Sequence, residues 1–156
     1  MKIAALSFAL ALLLPLAARA TPEDEQFQKI ANGYLDQYLQ RNPEEATSLG
    51  DHRFDAKLSD YSPDAFAKAR TAARAARAEL GKIAHDKLTG PNKVDAQILQ
   101  DAIDYELFQL EELKSWQSNP LVYNESLANS LYLLVARDFA PAADRIANLR
   151  ARLEAI

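Results

Sequence analysis

The sequence has no cysteine, two histidines and four glycines in 156 residues. Without a thiol there is no disulfide, no thiolate nucleophile and no sulfur ligand for a metal. The thiol that a lipid-anchored lipoprotein acylates is missing as well. The glycines form no phosphate-cradling loop, and no G-x-S-x-G nucleophile turn occurs. A helical zinc-peptidase site of the H-E-x-x-H kind needs two histidines four residues apart and a glutamate base. His52 and His85 have neither, so no metal site is expected from this chain alone. Positive charge is the scarcer sign, with 18 Lys and Arg against 22 Asp and Glu. That balance opposes nucleic-acid binding, which needs a basic footprint.

One apolar run exists, at the start. Met1-Lys2 is followed by Ile3 to Leu16, broken only by Ser7 and Pro15, and then by Ala18-Arg19-Ala20. This is the three-part pattern of a cleavable secretory signal, with cleavage expected after Ala20. The apolar run is fourteen residues long, short of the ~20 a membrane span requires. Residues 1–20 are therefore read as a signal peptide. The mature chain from residue 21 is expected to be exported, periplasmic or secreted, with no membrane anchor after cleavage. Losing Lys2 and Arg19 leaves 16 basic and 22 acidic groups, net −6.

What remains reads as helix throughout. Thr21-Pro22-Glu23-Asp24 is a cap, a first-turn proline and acids at the positive helix end. Phe27, Ile30, Tyr34, Leu35 and Tyr38 recur at helical spacing, which predicts a helix over about 22–41. A free amine on Thr21 after cleavage is expected to oppose that helix's dipole. Asn42-Pro43-Glu44-Glu45 repeats the cap pattern for a short helix ending at Gly50. Asp51 to Tyr61 has no helical period, and an irregular stretch of that length is often functional or mobile. Ser62-Pro63 opens the next helix, which contains nine alanines between Pro63 and Lys87 and so favours helix strongly; Gly81 weakens its last turn and Thr89-Gly90-Pro91 is expected to end it. A fourth helix is expected over about 92–117, capped by Asn92. Leu99, Ile103, Leu107, Leu110 and Leu113 form its stripe, and Val94, Ile98, Phe108 and Trp116 widen the apolar face towards more than one neighbour. Helices over Leu121 to Phe139 and from Pro141 onward complete the reading. The fold class is an all-α antiparallel or irregular bundle. The chain stops in mid-pattern at Leu153 and Ile156, which predicts that residues 21–156 are a helical N-terminal segment of a larger domain, truncated at its C-terminus.

Chemistry-bearing residues are few. His52 lies in Gly50-Asp51-His52-Arg53-Phe54-Asp55, where Asp51 or Asp55 can orient its ring. His52, Arg53 and Asp55 are the cleft candidates, although a histidine in such a loop is more often simply solvated. Asp101, Asp104, Glu111 and Glu112 interleave with an apolar stripe, as a solvated helix face does. Arg70, Arg74 and Arg77 share one face, and Arg145, Asn148 and Arg152 another. Either set can bind an anion, but pairing with acids of adjacent helices is the commoner use. Trp116, Tyr123 and Tyr132 read as core or interface aromatics.

Three stretches carry a family resemblance: Asn42 to Asp55, Trp116 to Tyr123, and Leu133 to Pro141 running into Arg150 to Ile156. Together they resemble the N-terminal region of a bacterial family catalogued as domain of unknown function 885. The resemblance implies a large, mostly helical, exported protein. Many members carry a downstream His-Glu pair followed by Gly-His, similar to zinc metallopeptidases. That segment is absent here, so no ligand or catalytic base is carried over, and a metallopeptidase-like full-length protein is implied in which zinc is a possible cofactor and a peptide a possible substrate. The partner implied is the missing C-terminal portion of the same chain. The fragment itself is expected to be inactive. The alternative reading is a non-enzymatic helical binding or scaffold protein of the periplasm.

Overall fold

The computed structural model describes residues 20–156; the signal-peptide reading lies outside the described residues. Those residues are helical, with no strand among them. Helix α1 spans Pro22–Arg41, α2 Pro43–Leu49, α3 Pro63–Leu80, α4 Gly90–Phe108, α5 Ser115–Ser118, α6 Leu121–Ala136 and α7 Ala142–Glu154. Short 3-10 turns at His52–Phe54 and His85–Lys87 interrupt the connections.

Helices α1, α3 and α4 pack against one another around the main core. Phe27 and Tyr34 of α1 meet Ala73 and Leu80 of α3 and Leu99, Ile103 and Leu107 of α4. Alanines on α3 let the three helices approach closely, and each fully buried large aliphatic side chain contributes about 1.5–3 kcal/mol. A second layer is built by α2, α6 and α7, with Ala46 and Leu134 buried in it. Helix α2 also contacts α1 and so ties the layers together.

Asp24 fastens the start of α1 to the start of α4. Thr21 Oγ1 accepts from the Asp24 N–H at 3.0 Å, and Asp24 Oδ2 accepts from the Thr21 N–H at 2.8 Å. Asp24 Oδ1 accepts from the Thr89 N–H at 2.9 Å and from Asn92 Nδ2 at 2.7 Å. Asn92, read from the sequence as the cap of α4, does not cap it: Thr89 occupies the cap position and the Asn92 amide serves the buried carboxylate. Asn42 likewise occupies the N-cap of α2 without capping it, because its amide donates to the Tyr38 carbonyl at the end of α1.

The single long helix expected over 92–117 is not formed. After Phe108 the chain widens into a π turn over Gln109–Leu113 and breaks at Lys114, whose φ is 49°. The wide turn sets Glu111 against Arg74 of α3 at 2.8 Å and lets Trp116 stack on Phe66 at 4.4 Å. Tertiary partners, not a breaker residue, decide this ending. Of the expected stripe, Leu99, Ile103, Leu107 and Leu110 are buried, but Leu113, at the end of the π turn, is exposed, and Val94, Ile98, Tyr105 and Phe108 face outward. Tyr132, Val135, Ile146, Leu153 and Ile156 are exposed on the other layer.

Candidate functional site

Gly50 ends α2 in the left-handed region with φ of 90°, a conformation that favours glycine. The reversal starts the His52–Phe54 turn, with the Asp51 N–H donating to the Ala46 carbonyl at 2.8 Å. Asp51 and Asp55 then take different partners. Asp51 accepts from the Arg53 guanidinium at 2.7 Å, and this contact holds its carboxyl below the usual carboxylate range. Arg53 also reaches Asp36 of α1 at 2.7 Å and lies over the Phe54 ring. It is an exposed brace between α1 and the loop.

Asp55 is the residue that holds His52. His52 Nδ1 lies 3.0 Å from Asp55 Oδ2, and the imidazole stacks on Phe139 with ring centroids 3.7 Å apart and planes 8° from parallel. The carboxylate is buried, whereas the His52 side chain retains 34% of its exposure. An Nδ1–H donating to the Asp55 carboxylate leaves Nε2 as the ring nitrogen open to other partners. The Thr47 hydroxyl lies 2.7 Å from Asp55 Oδ1. Arg152 of α7 donates to Thr47 Oγ1 at 2.8 Å and to the Ser130 carbonyl of α6 at 2.6 Å. Arg152 is fully buried, and its Nε has no hydrogen-bond partner among the described residues. Burial pushes its pKa down, and the nearby Glu44 and Asp55 carboxylates push it back up. Glu44, also turned inward, accepts from the Ser59 N–H at 2.8 Å and pins the far half of the loop. The result is a braced His–Asp dyad of the kind that presents an oriented imidazole for proton transfer or ligation.

A separate groove of about 710 Å³ opens between α1, α3, α4 and the loop residues Leu58 to Tyr61. Tyr38, Tyr61, Phe66 and Tyr105 give it aromatic walls. On its floor Tyr34 Oη donates to Glu106 Oε2 at 2.7 Å, and Arg41 Nη2 lies 3.2 Å from Glu106 Oε1. Burial, and then the Glu106 contact, raise the Tyr34 hydroxyl far above the ordinary phenol range, so it stays protonated. His52, Arg53 and Asp55 are not among the groove's lining residues. The 51–61 segment thus feeds two places: its first half builds the dyad and its second half walls the groove.

The arginines divide as well. Arg74 pairs with Glu111 at 2.8 Å and Arg77 with Asp104 at 2.8 Å, acids of the neighbouring α4 segment. Arg145 mostly satisfies carbonyls at the end of α6, including Arg137 at 2.9 Å and Val135 at 3.1 Å. Thr47, Glu44 and the structural use of Arg152 were not evident as site features in the sequence. No local signal marks Arg152, because the apolar residues on either side of it along α7, Ile146 and Leu153, are exposed. Among the described residues no three His, Cys, Asp or Glu side chains cluster as metal ligands. The residues present therefore do not fit a zinc site.

Among the described residues no helix is long and apolar enough to cross a membrane. No curated protein matches the chain. The fold is similar to that of a solved structure described as "a putative lipoprotein of unknown function from Shewanella oneidensis", at 26% identity and a TM-score of 0.75. That match covers 82% of this chain and only 23% of the Shewanella chain. A family model described as "Bacterial protein of unknown function (DUF885)" matches residues 43–156, a range that holds the dyad, the network beneath it and the α6–α7 layer, and the chain belongs to that family.

Proposed function

We propose that this chain is the N-terminal helical wall of an exported, metallopeptidase-like hydrolase, and that His52 faces the cleft of the whole enzyme. The observation that carries the reading is the dyad. A buried carboxylate braced by Thr47 orients a half-exposed imidazole whose Nε2 has no partner among the described residues. Bracing of this depth exceeds what a solvated loop histidine requires. Two further features support the reading. The exposed apolar stripes of α4, α6 and α7 are surfaces of the kind that pack against more protein. The chain also spans 23% of the similar Shewanella structure, which leaves room for a catalytic portion elsewhere in a longer polypeptide. Zinc, if the full protein uses it, is held by residues outside this segment. The role left to His52 is to orient a substrate or to take up a proton at Nε2.

The test uses the full-length protein with peptide substrates, before and after metal chelation. Chelator-sensitive hydrolysis is the expected result, with His52→Ala lowering turnover at least tenfold while the melting temperature moves by only a few degrees. Undiminished turnover in His52→Ala would remove the dyad from the cleft. A full-length protein without hydrolytic activity would favour a binding role.

A further inference from the structure

Asp24 is the most completely hydrogen-bonded carboxylate described, yet it is an anion without a cation. It is 1% exposed, and no Lys or Arg among the described residues forms an ion pair with it. Lys87, whose carbonyl accepts from the Thr21 hydroxyl at 3.2 Å, directs its ammonium to Glu23 at 3.1 Å. Oδ1 is occupied by Thr89 N–H, the Thr89 hydroxyl and Asn92 Nδ2. Oδ2 has one donor, the Thr21 backbone nitrogen at 2.8 Å. That nitrogen belongs to the peptide bond after Ala20, which is exposed.

We propose that processing at Ala20–Thr21 completes this site, converting the Thr21 nitrogen from a neutral amide into an ammonium that pairs with buried Asp24. The inference rests on the export reading given above. Hydrolysis adds one water across the bond: the Ala20 carbonyl leaves as a carboxylate, and the Thr21 amine takes up the proton. The nitrogen already sits at ion-pair distance, so no rearrangement of α1 is needed. A charge-assisted bond is roughly twice as strong as its neutral counterpart. The positive end of α1 opposes the new charge, but Thr21 is the cap residue, outside the first turn, and the carboxylate lies against it. The two bonds between Thr21 and Asp24 then close around a charged pair, and Asp24 holds Thr89 and Asn92 of α4 at the same time. Export would thereby tighten the contact between the α1 and α4 ends, favouring the folded state only after the leader is removed.

The experiment starts with the full chain exported by a bacterial host and its N-terminus sequenced. Thr21 is the expected first residue. Stability is then compared between this product and the same protein made in the cytoplasm with Ala20 still attached, each with and without Asp24→Asn. Processing should shift the folding equilibrium about tenfold in the wild type and not in the variant. Should Asp24→Asn fail to fold, the α-amine of the wild-type product is titrated by NMR after isotopic methylation. The charged groups around it are Asp24 and Glu23 on α1 and Lys87 on the adjoining turn, with neutral Thr89 and Asn92 from α4. An amine titrating above the ordinary value of about 8 supports the pair; an ordinary value overturns it, as does an equal effect of processing in both backgrounds. A cut elsewhere overturns the site assignment but leaves export standing. Recovery of unprocessed protein from the cytoplasm alone overturns the export reading.

Discussion

Arg152→Leu is the most demanding test of the network under the dyad. The guanidinium makes two short bonds, to the Ser130 carbonyl at 2.6 Å and to Thr47 Oγ1 at 2.8 Å. Its contact with the Pro43 carbonyl, at 3.4 Å, is long enough to count for little. Bonds to charged groups contribute about 1.5–3 kcal/mol each, so the gross loss is about 3–6 kcal/mol. Two gains offset part of it: a buried cation no longer has to be desolvated, and leucine adds apolar contact. The uncompensated Asp55 and Glu44 carboxylates act in the opposite direction. A net destabilisation of about 3 kcal/mol is expected, near the range for breaking a buried charged cluster by removing one member. For a domain of this size that corresponds to a melting temperature lower by roughly 10 °C. Urea denaturation followed by far-UV circular dichroism measures it. Adding Thr47→Val should cost less in the Arg152→Leu background than in the wild type, because the two residues share one bond. A loss below about 1 kcal/mol, on the scale of ordinary surface changes, together with strict additivity, would refute the claim that Arg152 braces this layer.

Gly50→Ala should destabilise by about 1 kcal/mol, measured by thermal melting, since a Cβ at φ of 90° is strained although no neighbouring atom lies within 4 Å of it. Lys114→Gly should do the reverse and raise stability by about 0.5 kcal/mol, because the left-handed φ of 49° suits glycine. Asp24 makes stability pH-dependent. Burial alone would raise its pKa, but bonds from Thr21, Asn92 and Thr89 outweigh burial and hold it well below the ordinary carboxylate value. A depressed folded-state pKa gives stability that is present above the unfolded value and lost as pH falls towards the folded one. Acid titration of the melting temperature should therefore show a decline beginning near pH ~4 that is shallower in Asp24→Asn; an unchanged slope would count against the carboxylate's role.

The helices themselves were legible in the sequence because their causes are local. Apolar spacing, proline in first turns, the Thr21 cap and the glycine at position 50 act within a few residues: α1 and α2 begin and end where those signals stand, and α3 begins at Ser62-Pro63 but stops at Leu80, short of the end expected at Thr89-Gly90-Pro91. Two expectations failed for the opposite reason. Asn92 and Asn42 have the right chemistry for helix caps, but buried Asp24 and the Tyr38 carbonyl compete for their amides across space. The continuous helix over 92–117 broke at Lys114, where no local breaker stands, because Glu111 and Trp116 meet α3 only if the turn widens. The site follows the same division. Sequence placed His52, Arg53 and Asp55 in one irregular loop and left open which acid orients the ring. The tertiary structure gave His52 to Asp55, turned Arg53 away to Asp51 and Asp36, and brought Thr47 and Arg152 from 105 positions apart into one hydrogen bond. Periodicity decides which face of a helix avoids water; only packing decides which polar group meets which, because a buried donor must find its acceptor wherever the chain has folded.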